Sequence, residues 1–207
     1  MVHAHRRAAE AIEAFSRGEM VVIVDDDDRE NEGDLIVAAE LATPEQLALI
    51  IRHTSGIICA PLTQEIADRL RLPQMVAENS DPHATAFTVT VDWRGGGYRS
   101  GISATERRNT ARALADPASR PEDFMRPGHM FPLVAREGGV LTRPGHTEAA
   151  VDLCQLAGLA PVGVIGELLN DDGTVMRGPA VEAFAREHGL RYATVADLIA
   201  YRSRAAA

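Results

Sequence analysis

The sequence predicts an α+β fold, a mixed α/β layered sandwich in which helices pack on a mixed, partly antiparallel sheet, as a single domain spanning residues 1–207. Three observations lead there. Helical and strand periods of hydrophobicity alternate along the chain, joined by connections of a few residues. Apolar segments around a double glycine read as a hairpin, which brings antiparallel pairing. No internal repeat or low-complexity stretch divides the chain, and a chain of this length can bury about 70% of its unfolded surface in one core.

Ala8 to Arg17 reads as a helix stopped by Gly18, and Met20 to Val24 as an apolar strand halting at four aspartates. Leu35 to Ala39 is a second strand. A helix then opens with Thr43 as N-cap, Pro44 at the first position and Gln46 closing a capping box. Ile57 to Ala60 is a strand and Gln64 to Leu72 a helix; residues 76–86 look irregular, and Ala86 to Asp92 alternates like a half-buried strand. Ser103 with Glu106 caps a helix running to about Ala115. Phe131 to Arg136 with Val140 and Leu141 flank Gly138 and Gly139 as the expected hairpin, and Thr147 is expected to cap a helix ending near Gly158. Val162 to Leu169 reads as a buried strand, Asn170 to Gly173 as a turn, Pro179 to His188 as a helix closed by Gly189, and Thr194 with Asp197 as the start of a short final helix.

Composition narrows the function classes. Thirty acidic against 21 basic residues give a net charge of −9, which disfavours nucleic acid and anionic membrane as partners. No window approaches the roughly 18 apolar residues of a membrane span, so a cytoplasmic protein is expected. Two cysteines without metal-ligand spacing suggest reduced thiols, and the chain has no lysine, which removes Schiff-base chemistry.

Chemistry concentrates in three places. Asp25 to Asp34 packs seven carboxylates into ten residues around Arg29, a pattern suited to magnesium and a phosphorylated ligand, or else to a solvated loop. Arg126-Pro127-Gly128-His129 and Arg143-Pro144-Gly145-His146 repeat one tetrapeptide. Each is expected to present its histidine from a rigid turn, both toward one cleft, with an anion docking near Thr147 at a helix N-terminus. Glu167 interrupts an otherwise apolar strand, where burial suits either a tuned general base or a structural ion pair. Gly101 to Thr110 combines a capped helix start with hydroxyls and two arginines, also suited to a phosphate; Cys59 reads as packing sooner than as a nucleophile. Other metal-assisted sugar-phosphate isomerases or aldolases, and a noncatalytic cation-binding module, are the competing readings.

Taken in order, the Asp25–Asp34 loop, Ser55-Gly56-Ile57 with Cys59, Gly101 to Thr105, Arg126 to Pro132, Arg143 to Thr147 and Gly166-Glu167 resemble the 3,4-dihydroxy-2-butanone 4-phosphate synthase family over nearly the whole chain. The resemblance implies conversion of D-ribulose 5-phosphate into L-3,4-dihydroxy-2-butanone 4-phosphate and formate, with magnesium or manganese as two ions per site and no redox cofactor. It implies a homodimer with active sites at the interface. By matching positions, Glu30 and His146 hold the metal, and the sugar phosphate is contacted by Arg29, Glu30, Asp34, Thr105, Arg143, Pro144, Gly145, His146, Thr147 and Glu167. His129 and Glu167 are the implied acid/base groups, with Asp34 and Cys59 also in the catalytic set.

Overall fold

A computed structural model describes residues 2–26 and 28–205. Asp27, part of the acidic run, lies outside the described residues. Helix α1 (Val2–Ser16) ends at Gly18, which takes the left-handed φ of +82°. Strands β1 (Val21–Val24) and β2 (Gly33–Ala38) form an antiparallel pair across the acidic loop, and α2 (Pro44–His53) follows with the expected Thr43–Gln46 capping box. Next come β3 (Cys59–Leu62), α3 (Gln64–Arg69), β4 (Val91–Trp93) and α4 (Ala104–Ala115), the last with its Ser103–Glu106 box. The chain closes with β5 (Phe124–Val134), α5 (His146–Leu156), β6 (Gly163–Glu167), α6 (Pro179–Glu187), β7 (Arg191–Thr194) and α7 (Val195–Ala205).

The seven strands form one mixed sheet in the order β4-β5-β3-β6-β2-β1-β7. Parallel pairs β3·β5 and β1·β7 sit among antiparallel ones. The strand period of two assigns the faces. Val22, Val24, Leu35, Val37 and Val164 pack against α2, α3, α4 and α6, whereas Val21, Ile23, Ile36, Ala38 and Ile165 pack against α1, α5 and α7. Burial on both faces is why the central strands read as continuous apolar runs. The α+β sandwich expected from the sequence is thus the architecture found.

Several local expectations are corrected. There is no hairpin at Gly138–Gly139: both edges of β5 are already taken by β3 and β4, and two successive positive φ values (+90° and +62°) peel the chain away into a 3-10 turn, Gly139–Leu141. The buried Asp152 carboxylate accepts the Val140 N–H there at 3.0 Å, replacing a sheet partner. β3 begins at Cys59 and not Ile57, because Gly56 (φ +77°) turns the backbone just before it. α3 ends at Arg69, short of Leu72, and the 86–92 segment joins the sheet fully only from Val91, after isolated bridges at Phe87 and Thr88. Thr147 is not a cap. Gly145 occupies that position, leaving His146 and Thr147 inside the first turn of α5.

Candidate active site

The sheet ends on one side where β1 and β6 leave and β2 and β3 begin, and the N-terminus of α5 packs over that edge. Strand parity puts Asp34 on the face of Ile36, Glu167 on the face of Ile165, and Cys59 beside them, all toward α5. Register then sets Asp34 directly opposite Glu167. Like charges facing each other across a ladder destabilise it unless something screens them.

The acidic loop is organised by Asp25, which is buried. Its carboxylate accepts Arg29 Nη1 at 2.6 Å and the backbone N–H groups of Glu32 at 2.9 Å and Glu30 at 3.3 Å. Arg29 also pairs with Glu30. Asp34 is 1% exposed, and burial, reinforced by Glu167, Glu30 and Asp25, raises its carboxyl well above the usual range. Burial likewise holds the His146 imidazole below its ordinary value, which keeps it neutral and able to donate a lone pair. Single ligand atoms of Asp25, Glu30 and His146 all lie within 4.8 Å of one another. Two buried atoms beside them, Asp34 Oδ1 and His146 Nε2, have no hydrogen-bond partner among the described residues. Buried polar atoms left unpaired are costly, so their retention points to a ligand.

The other end of the cavity is cationic. A Cβ on Gly145 would fall 2.5 Å from Arg143 Nη1 and 3.2 Å from Arg29 Nη2, so two guanidiniums converge on the α5 N-terminus, where free N–H groups and the helix dipole favour an anion. Arg143 is held by the buried Glu148 carboxylate at 2.7 Å and donates to the His83 carbonyl at 3.1 Å and the Thr85 hydroxyl at 3.3 Å. The whole forms a cavity of about 230 Å³ that includes Arg29, Glu30, Asp34, Cys59, Arg143, His146, Thr147 and Glu167. A cleft of about 330 Å³ beside Asp152 and Arg202 is larger, but those two charges neutralise each other at 2.7 Å.

Not every expected residue is gathered here. Glu167 lines the cavity but is exposed and not buried, because it is the last residue of β6 and stands where the sheet opens. The buried carboxyl of the cavity whose pKa is raised is Asp34. His129 and Thr105 lie outside the cavity, so the two histidines do not share one cleft within the chain. The first Arg-Pro-Gly-His segment is not a free turn either. It bulges from β5 between the pairs Val91↔Met130 and Asp92↔Met125. The Gly101–Thr110 segment offers no vacant anion slot, since Glu106 Oε1 accepts the backbone N–H groups of Arg99, Ser100 and Gly101. Cys59 is buried, and burial pushes its thiol up, away from nucleophilic thiolate. Sequence reasoning placed Asp25 in the cation-binding loop without singling it out as a ligand, and missed Glu148 as the anchor of Arg143 and the cavity wall formed by Asp81, His83 and Thr85. That wall comes from a segment without periodicity, legible as a loop and as nothing more.

Fold and cavity together define a class: an α/β sandwich carrying a divalent-cation site beside an anion cradle, with acid/base groups at hand. The chain belongs to the 3,4-dihydroxy-2-butanone 4-phosphate synthase family, whose profile matches residues 9–201. It is 55% identical over 192 residues to the 3,4-dihydroxy-2-butanone 4-phosphate synthase of Agrobacterium fabrum, covering 93% of this chain and 90% of that one. It is 60% identical over 195 residues to the riboflavin biosynthesis protein RibBA of Salinispora arenicola, covering 94% of this chain and 46% of the relative. The chain thus spans about half the length of several curated relatives it matches. A crystal structure of 3,4-dihydroxy-2-butanone 4-phosphate synthase in complex with two magnesium ions superposes with a TM-score of 0.91 at 49% identity, covering 95% of this chain and 96% of that one. The family resemblance read from the sequence is borne out.

Proposed function

We propose that the protein converts D-ribulose 5-phosphate into L-3,4-dihydroxy-2-butanone 4-phosphate and formate, as a step of riboflavin biosynthesis. The observation that carries this is the adjacency of a three-ligand cation cluster to a two-guanidinium cradle, with buried Asp34 and His146 atoms unpaired between them. The donor set fits magnesium or manganese. Carboxylate oxygens suit a hard cation and the neutral imidazole adds one nitrogen. Glu30 and His146, with Asp25 added by the geometry, would hold it, and Asp34 and Glu167, which line the same cavity, would be the carboxylates available to a second ion.

When bound, the cation supplies polarisation of neighbouring substrate oxygens. The chain supplies the rest. Arg29 and Arg143, with the α5 N-terminus and Thr147, grip the phosphate and fix the sugar's direction in the cavity. Asp34, in its ionised form a stronger base than an ordinary carboxylate because burial raises its pKa, takes the proton from the carbon beside the carbonyl. Glu167 at the mouth carries protons between the site and solvent. His129 protonates the departing C1 hydroxyl, which leaves as water, and after carbon migration one water adds to the C4 carbonyl so that C4 leaves as formate, a sequence with no net oxidant. Cys59 lines the apolar wall.

The same reading makes the enzyme a homodimer with shared sites. Its support is that His129 and Thr105 stand outside the cavity while Ile57, at the cavity rim, and Ile102 are 50% and 48% exposed, an apolar surface suited to a second copy. It also treats the chain as one catalytic domain working in the cytoplasm, where two free cysteines persist. The test is incubation with ribulose 5-phosphate and magnesium and quantification of formate, with and without chelator. One formate per sugar consumed, lost on chelation, is expected; consumption without formate would make the protein an isomerase or aldolase.

A further inference from the structure

The Arg126–His129 bulge interrupts the β4·β5 ladder, and opposite it stands Asp92, 1% exposed at the side chain. Bulges next to functional sites re-aim a side chain while leaving backbone groups to be satisfied by other means. Here the satisfaction is specific. Thr90 Oγ1 accepts the Gly128 N–H at 3.0 Å, and Asp92 Oδ1 accepts the His129 N–H at 2.9 Å. The second oxygen, Asp92 Oδ2, lies 2.6 Å from His129 Nδ1. One buried carboxylate therefore fixes both the backbone and the ring of the same histidine. The surroundings leave it little room: a Cβ on Gly128 would fall 2.0 Å from the Val91 carbonyl carbon, and one on Gly101 would fall 2.1 Å from Asp92 Oδ2.

We infer that Asp92 is a positioning residue for the proposed reaction, holding His129 with its proton on Nδ1 and its Nε2 lone pair facing outward. The inference rests on the function proposed above. A carboxylate only accepts, so the 2.6 Å contact requires Nδ1 to be the donor. The imidazole is 41% exposed, and among the described residues no hydrogen-bond partner meets Nε2. This leaves Nε2 as the working atom, the one free to exchange a proton with a bound group. The charged and titratable groups around Asp92 are Arg107 from α4, whose guanidinium faces the carboxylate charge, Tyr98 from the preceding loop, and His129 itself. None of these belongs to the cation cluster.

Asp92→Asn is nearly isosteric but offers one acceptor where two are needed, so the ring loses its fixed tautomer. Turnover should fall about 10-fold or more while KM for ribulose 5-phosphate stays within about 2-fold. Asp92→Glu should recover part of the turnover. Unchanged kcat in folded Asp92→Asn would overturn the inference. A second readout needs no activity: long-range ¹H–¹⁵N NMR of histidine-labelled wild type should show protonated Nδ1 at His129, identified by its loss in His129→Ala. A neutral ring protonated on Nε2 would overturn the assignment even if Asp92→Asn did not fold. Absence of formate from the wild type would strike the proposed reaction and leave the tautomer measurement standing.

Discussion

Asp34 shows how one residue can be a liability for folding and an asset for function. Its folded pKa is raised by burial first and by Glu167 second. An unfolded aspartate ionises near pH 3.9. Above that pH the unfolded chain has released a proton that the native state still holds, so stability is greatest below it and declines as pH climbs toward the raised native value. In chelator Asp34 therefore contributes a fall in melting temperature from pH 5 to pH 7, opposed by the rise that the depressed pKa of His146 contributes. Asp34→Asn should melt higher than wild type at pH 7, lose that fall and abolish formate release. Equal slopes in both proteins, read by calorimetry, would remove Asp34 as the cause. Glu167 behaves differently because it is exposed. Glu167→Gln should shift stability by no more than about 0.5 kcal/mol, as surface changes usually do, while kcat drops about 100-fold if it handles the proton. A destabilised variant with normal turnover would make it structural instead.

At the level of elements, capping chemistry is the most readable part of the sequence. Thr43–Gln46 and Ser103–Glu106 are local devices, complete within four residues, and both helices start where those boxes put them. The failures are non-local. Gly138–Gly139 resembles a hairpin turn, and only the occupancy of both β5 edges decides against it. Strand β7 escapes a reading by periodicity because Arg191–Thr194 is half polar and is held to β1 as an edge strand. For the site, the acidic loop and the second tetrapeptide are legible as composition. Glu167 looks buried from its apolar neighbours, and its position at a strand end, which exposes it, cannot be read from them. The α5 N-terminus gives its own prediction. Arg143→Ala leaves the buried Glu148 without its cation and the phosphate with one guanidinium fewer, so KM should rise about 10-fold or more with kcat less changed. An unchanged KM in steady-state kinetics would put the phosphate elsewhere.

At the scale of the whole molecule, the division of groups between the cavity and the Asp92–His129 bulge has a simple experimental signature. If sites are shared between two copies, His129→Ala and His146→Ala chains, each inactive alone, should restore activity when mixed and allowed to exchange. Random pairing yields about a quarter of wild-type turnover from the sites that remain intact. No recovery despite subunit exchange, followed by mass spectrometry, would confine all catalytic groups to one chain.

The facing carboxylates Asp34 and Glu167 also make the protein a sensor of its own cation. Without a counter-charge, burial and the facing Glu167 keep a proton on Asp34, and any ion that binds the native state alone displaces that proton and adds its own binding energy. Melting temperature then becomes a titration curve. Raising free magnesium to about 100 times its dissociation constant should add about 2.7 kcal/mol to stability. A melting temperature indifferent to magnesium would mean that no ion settles between these strands.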